Sequence, residues 1–414
     1  MRVNQGVILI GGRGTRLGAL TTNFAKPMLE VAGRPFVEHV VSHLARYGVR
    51  DVVLLAGHSG ALPRERYHGR KLFGADISVL VEPEPLGTGG ALRFAADRLD
   101  ETFLLTNGDT FFDADLLPLI SMTTQPQWSA AMLLRRPPAG ARYGCVDLMP
   151  DGTIRAFTEK PPNTSGSALV NAGTYLMRRD SVLAAIDKMP WSLEQTVFPA
   201  LGARGMLRGV EADGYFIDIG VPDSLAAAQR ELASQRTRPA AFLDRDGVLN
   251  VDRGYTHRPE QLEWIAGAPD VTRRLNHAGY YVFVVTNQAG IARGYYDEAA
   301  VHRFHDAMQD RLMERGAHID AFYHCPHHPE GTVRDLAIRC GCRKPNPGML
   351  ESAAAEWFID RQRSFLIGDK DDDVAAARAF GIRGLKFEPD QVTLEGLLDK
   401  LLATDSQTVH VQSG

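Results

Sequence analysis

Cysteine is scarce in this chain, four among 414 residues. A disulfide scaffold is thereby excluded, and stability must come from buried apolar side chains. No run of about 18 apolar residues occurs, so no membrane-spanning helix is expected. Neither sign of charge dominates: 46 Lys+Arg against 50 Asp+Glu give a net −4. That balance excludes a generally basic nucleic-acid binder while leaving room for a local basic pocket. A short-period repeat is also missing. The start, Met1 to Gly6, runs straight into an apolar stretch without a cleavage pattern. A secretory signal is therefore not expected, and the reading is a soluble cytoplasmic protein. Hydrophobic residues make up 44%, which excludes wholesale disorder. Three of the four cysteines, Cys325, Cys340 and Cys342, crowd one short segment, which makes a metal site the leading idea.

The length gives a prior of two or three domains. Short apolar runs at 7–10, 52–56, 77–81, 103–106, 241–243, 281–286 and 365–367 alternate with amphipathic helical stretches. This alternation predicts an α/β protein with mostly parallel sheets. Many of the runs end in glycine or polar residues, where open α/β sheets hold ligands. The polar stretch 231–239 ends in proline and is read as a domain boundary. Three parts follow: a first domain over 1–234, a second over 239–390, and a C-terminal helix with a frayed polar tail over 391–414.

After the first apolar run comes Gly11-Gly12-Arg13-Gly14-Thr15-Arg16-Leu17. Glycines let backbone N–H groups approach phosphate closely, and the arginines add charge-assisted bonds. No Gly-Lys-Ser/Thr follows, so it is not a Walker A loop. Lys26 offers a further cation. Asp109 follows the run 103–106 in Asn107-Gly108-Asp109, a position suited to holding Mg²⁺ near a phosphate. Asp218, in Asp218-Ile219-Gly220, supplies a second carboxylate after another apolar run.

With Lys26-Pro27-Met28, Gly87-Thr88-Gly89-Gly90-Ala91, Glu159-Lys160-Pro161 and Asn171-Ala172-Gly173, these segments resemble the sugar-1-phosphate nucleotidyltransferase family in order. The resemblance implies a Rossmann-like nucleotidyltransferase fold. It implies that Gly11, Gly12, Arg13, Gly14, Thr15, Arg16 and Lys26 hold a nucleoside triphosphate. It places Gly87, Thr88 and Gly89 near base and ribose, and gives Mg²⁺ to Asp109 and Asp218. Glu159, Lys160 and Asn171 fall at the sugar phosphate. The attacking sugar phosphate is already anionic, so catalysis needs positioning and charge neutralisation by Arg16, Lys26, Lys160 and Mg²⁺, with no general base.

In the second half, the run 241–243 ends in Asp244-Arg245-Asp246-Gly247. Side chains two apart point the same way, so one carboxylate can attack phosphorus while the other handles the leaving-group proton. A calcium loop is excluded, since its twelfth position would be Tyr255. Thr286-Asn287-Gln288, Arg343-Lys344-Pro345 and Gly368-Asp369-Lys370 complete an ordered set that resembles the haloacid dehalogenase (HAD) phosphatases, with a Rossmannoid fold. The resemblance implies Asp244 as nucleophile and Asp246 as acid and then base. It implies Mg²⁺ on Asp244, the Asp246 carbonyl and Asp369, with Thr286 and Lys344 on the phosphoryl oxygens.

Cys325-Pro326-His327-His328 and Cys340-Gly341-Cys342 offer three thiolates and one imidazole, with twelve residues between His327 and Cys340. This is a Cys₃His zinc set on a small loop, structural because four protein ligands leave no open position. His328 is the alternative to His327, and free thiols or a redox pair are the alternative to zinc. With the set, and with Asp252-Arg253-Gly254-Tyr255, the second half is similar to the D-glycero-D-manno-heptose-1,7-bisphosphate 7-phosphatases. That likeness implies substrate contacts from Asp252, Tyr255, Asn287 and Arg343, and puts Lys370 beside the metal aspartate.

A heptose 1,7-bisphosphate that loses its 7-phosphate becomes a heptose 1-phosphate, which is what a nucleotidyltransferase consumes. The expectation is a bifunctional enzyme of nucleotide-activated heptose synthesis, with GTP favoured as donor, for surface polysaccharide. Its partners are a nucleoside triphosphate and sugar phosphates, with no nucleic acid and no membrane. Hexose 1-phosphate, UTP, and an inactive sugar-nucleotide-sensing first domain stay open as alternatives.

Overall fold

The computed structural model describes residues 2–12, 16–18, 25–57, 60–136, 144–158, 169–186 and 191–411, the last stretch with side chains to residue 403. The chain forms two compact units, Met1–Gln235 and Arg236–Gly414.

The first unit is built on a ten-stranded sheet. At its centre, strands Thr102–Asn107, Gln5–Leu9, Asp51–Ala56 and Ala75–Val81 lie side by side in parallel. Strands buried on both faces read as continuous apolar runs, as 52–56 does. Register aligns Leu9 with both Leu55 and Asn107, so three strands release the chain at one level. Ile10, Gly57 and Gly108 follow there, around the crevice where open α/β sheets bind ligands. A separate antiparallel ribbon pairs Thr110–Asp113 with Tyr215–Asp218, setting Asp218 opposite Thr110.

Outside the central strands the sheet is mixed. Leu169–Arg178 runs antiparallel to Thr102–Asn107, and its other neighbours in the sheet are antiparallel too. The expectation of mostly parallel pairing fails in this unit. A doubly buried apolar run has the same composition in either direction, so its sequence does not carry its orientation.

The second unit is a parallel five-stranded sheet. Its order is Ala321–Cys325, Tyr281–Asn287, Arg238–Leu243, Ile359–Gly368 and Arg383–Lys386. Helices Ala268–His277, Glu298–Met313 and Leu394–Val411 bury Leu275, Phe304 and Leu398 against Val282 and Val284. Each such large apolar side chain contributes about 1.5–3 kcal/mol on burial.

The polar stretch 231–239 is regular structure: helix Pro222–Arg236 runs through it and a strand starts at Arg238. The C-terminal helix expected within 391–414 spans Leu394–Val411. Leu394, Leu397, Leu398 and Leu401 dock the last helix, and its backbone continues to Val411. Among the described residues no helix is long and apolar enough to cross a membrane.

Candidate active sites

The first crevice encloses a cavity of about 460 Å³, lined among others by Gly11, Gly12, Lys26, Gly87, Thr88 and Asp109. Two adjacent glycines do different work here. A Cβ on Gly11 would stand 3.0 Å from the Gly57 backbone nitrogen, so Gly11 serves the close approach of two chains. Among the described residues nothing lies within 4 Å of such a Cβ on Gly12, which leaves its backbone open to a ligand. Lys26 Nζ donates to Asp109 Oδ2 at 2.6 Å. Asp218 joins them through the ribbon: the Ile219 N–H donates to the Asp109 carbonyl at 2.9 Å, and the Gly220 N–H to Asp218 Oδ1 at 2.8 Å. Two carboxylates beside one ammonium are hard oxygen donors of the kind Mg²⁺ takes.

Helix Gly87–Phe94 forms the opposite wall. Gly87 lies at φ 76°, and a Cβ there would meet the Trp191 carbonyl oxygen at 2.8 Å. The Gly89 N–H donates to that same carbonyl at 2.8 Å, so Gly89 holds the loop behind the cavity. Thr88 Oγ1 donates to Glu194 Oε2 at 2.9 Å. Arg16 is exposed and Asn171 is bound to Tyr175 at 2.7 Å; neither is among the residues lining the cavity. Arg13, Gly14, Thr15, Glu159 and Lys160 lie outside the described residues.

Two carboxylates lining this cavity escaped the sequence reading, Glu82 and Glu194. Glu82 follows the strand Ala75–Val81 directly, and that strand-end position was the available signal. Burial raises its carboxyl pKa against the pull of the Leu86 N–H, which donates to Oε2 at 3.2 Å. Its Oε1 lies toward Gly11. Glu194 stands 106 residues from the Thr88 it accepts from, and no local pattern marks it.

The second unit holds a cavity of about 330 Å³ at the ends of its central strands. Asp244, Asp246, Asp252, Tyr255, Thr286, Asn287, Arg343, Lys344 and Lys370 all line it. Asp244 leaves the strand Arg238–Leu243 with its N–H on the Ile367 carbonyl at 2.9 Å. Burial pushes its carboxyl up to about 7, with Lys344 pulling down and Asp373 pushing up. Lys344 Nζ stands 2.9 Å from Asp244 and 2.5 Å from Asp373, wholly buried between them. Burial opposes that ammonium, but the two carboxylates outweigh it and raise its pKa above the ordinary lysine value. Asn287 accepts the Lys344 N–H and donates to the Lys344 carbonyl, both at 3.1 Å, fixing the lysine backbone.

Carboxylate oxygens of Asp244, Asp369 and Asp373 lie within 4.8 Å of one another. Burial raises the Asp369 carboxyl while Lys370 opposes the shift. Asp369 Oδ1 is buried without a hydrogen-bond partner, which is costly unless a cation completes it. The donor set therefore fits Mg²⁺. Asp373 was not singled out from the sequence, where it is one of three consecutive aspartates. The Asp246 side chain is outside this group: Arg245, Asn250 and Gln288 donate to it at 2.7, 2.9 and 3.2 Å.

The cysteine segment closes on itself. Sulfur–sulfur distances among Cys325, Cys340 and Cys342 are 3.2–3.5 Å, and His327 Nδ1 lies 3.3 Å from Cys342. A disulfide requires about 2.05 Å, whereas these spacings approach the edges of a tetrahedron around one metal ion. His327 faces the thiols; His328 Nδ1 instead accepts the Glu330 N–H at 3.1 Å. Arg343 donates to the His327 carbonyl at 3.3 Å, which ties the loop to the second unit's cavity.

Comparison with known proteins adds to this geometry. A family model described as nucleotidyl transferase matches residues 5–235, and one described as HAD-hydrolase-like matches 341–387. The D-glycero-beta-D-manno-heptose-1,7-bisphosphate 7-phosphatase of Rhodopseudomonas palustris is 49% identical over 160 residues, 39% of this chain and 89% of that protein. Among solved structures, HddC from Yersinia pseudotuberculosis is 26% identical, covering 56% of this chain and 100% of that one at a TM-score of 0.49. A UTP-bound UGPase from Acinetobacter baumannii is 21% identical over 56% of this chain and 94% of that one. Its TM-score of 0.50 speaks to the fold alone.

Proposed function

We propose two consecutive reactions for a chain that belongs both to the nucleotidyl transferase family and to the D-glycero-beta-D-manno-heptose-1,7-bisphosphate 7-phosphatase family. The chain is a bifunctional transferase and phosphatase of a heptose pathway. On our reading the second unit removes the 7-phosphate of heptose 1,7-bisphosphate. The first then joins GMP from GTP to the heptose 1-phosphate, releasing pyrophosphate. A nucleoside triphosphate and sugar phosphates as substrates fit a cytoplasmic site.

In the phosphatase cavity, Asp244 attacks phosphorus and the bond to the sugar oxygen breaks. Asp246, held by Arg245, Asn250 and Gln288, gives that oxygen a proton. It then takes one from the water that hydrolyses the acyl phosphate. Lys344 and Thr286 hold phosphoryl oxygens. Asp244, the Asp246 carbonyl and Asp369 would hold Mg²⁺ with Asp373 close by, and the ion would supply the positive charge that lets a carboxylate approach a phosphate. Zinc on Cys325, His327, Cys340 and Cys342 would keep Arg343 in place.

In the transferase cavity, Lys26 neutralises phosphate charge beside Asp109 and Asp218, the residues that would hold its Mg²⁺. The observation that carries guanine is Glu82, a buried carboxylate on the cavity wall. Guanine presents two adjacent donors, N1–H and the exocyclic amine, which suit two carboxylate oxygens. Uracil presents one donor flanked by carbonyls, which a carboxylate repels.

The test is a panel of GTP, ATP, CTP and UTP with each anomer of heptose 1-phosphate and with mannose 1-phosphate, read as pyrophosphate release. GTP is expected to dominate, and Glu82→Gln should lower kcat/KM for GTP by about 10- to 150-fold, the worth of a charged hydrogen bond. Exclusive use of UTP, or of mannose 1-phosphate, overturns the reading.

A further inference from the structure

Apart from the groups assigned above, Glu298, His302 and His324 form another cluster of metal-ligating side chains. It arises from the packing of one helix on one strand. Helix Glu298–Met313 carries Glu298, His302 and His305 on a single stripe, at i, i+4 and i+7. Strand Ala321–Cys325 turns Phe322 and His324 to one face, because side chains two apart share a face. His305 stacks on Phe322 with ring centroids 4.5 Å apart and planes 16° apart. That stack sets the helix on the strand and carries the rest of the stripe over His324. The His302 ring meets His324 edge-on at 5.5 Å, and Glu298 Oε1 lies 2.8 Å from His324 Nε2. One ligand atom from each residue lies within 4.8 Å of the other two.

We propose that Glu298, His302 and His324 bind a borderline divalent cation of the zinc class. Two imidazoles and a carboxylate are donors such ions take. With metal–ligand bonds of about 2.0–2.1 Å, neighbouring nitrogen and oxygen ligands of a tetrahedron stand about 3.3–3.4 Å apart. The 2.8 Å contact opens to that value, and the wider ones close by side-chain rotation. Glu298 and His302 are exposed, so a fourth coordination position faces solvent and takes water or an anion. The ion would join the start of the helix to a strand whose last residue, Cys325, opens the thiol cluster.

The test uses untagged full-length protein, stripped with chelator and returned to cobalt(II) in excess Mg²⁺. Wild type is expected to retain one cobalt more per chain than His302→Ala. Glu298→Gln should show the same loss. The intense thiolate-to-cobalt absorption should be equal in all three, placing the lost ion outside the cysteine set. Equal cobalt content in wild type and both variants overturns the proposal and leaves the Glu298–His324 contact a plain hydrogen bond.

Discussion

Opposing forces meet at Asp244, which burial drives toward its neutral form while Lys344 favours the anion. Lys344 shares its charge with Asp373, so the buried group carries two carboxylates for one ammonium. Asp244→Asn removes one anion and leaves a neutral Lys344–Asp373 pair, so the fold should survive. Phosphate release should fall by at least about a thousandfold, as for loss of a nucleophile, while nucleotidyl transfer is unchanged. Both activities, with the unfolding midpoint, check this; phosphatase turnover near wild type would remove Asp244 from its role. At this scale the sequence was informative where chemistry forces a residue type: the catalytic and substrate-contact residues it suggested in the second half line one cavity, while Asp369 and the Cys/His set are not among the lining residues. It could not choose among Asp371, Asp372 and Asp373. That choice rests on the Lys370 N–H donating to Asp373 at 3.0 Å and on Gly368, where a Cβ would stand 2.1 Å from that of Asp373. Only a glycine there lets Asp373 turn inward to Lys344.

Elements decide how distant residues share a site, and here spacing says less than packing. The cysteine and histidine spacing marked a candidate metal set, and the structure brings its three thiols and one imidazole together. Its mechanical link was not. Arg343 reaches back to the His327 carbonyl, and Asn346 donates to the Cys340 carbonyl at 2.9 Å. With zinc on the thiols, the loop would be held at one end by metal and at the other by Lys344, and would position Arg343 and Lys344 together. Removing the ion should therefore raise the phosphatase KM by about 10-fold or more, the usual cost of losing support behind a site. Chelator treatment followed by zinc return, with phosphate release measured at each stage, checks this. A KM unmoved by demonstrated zinc loss would make the loop irrelevant to substrate binding. Strand direction in the first unit was equally hidden, since backbone pairing, not side-chain composition, sets Leu169–Arg178 antiparallel.

For the whole molecule, the question is what two sites gain from one chain. The cavities lie in different units: the described residues lining the first run from Leu9 to Glu194, and those lining the second from Asp244 to Asp373. Among the described residues each cavity draws its lining from its own unit, so each site should work when the other is disabled. The sequence pointed to this division because each half carries its own ordered set of phosphate-binding residues. Two full-length variants put the consequence to measurement. Asp244→Asn lacks the phosphatase nucleophile, and Asp109→Ala lacks a carboxylate beside Lys26. Alone, neither should convert heptose 1,7-bisphosphate and GTP into nucleotide sugar. Mixed at equal site concentration, they should reach the wild-type steady rate after a lag in which heptose 1-phosphate accumulates. The lag follows because the intermediate leaves one molecule and must reach the KM of the other. Following phosphate and pyrophosphate release together separates the steps. A mixture that stays far below wild type at steady state would mean that the intermediate passes within one chain, and that two independent cavities are an incomplete description.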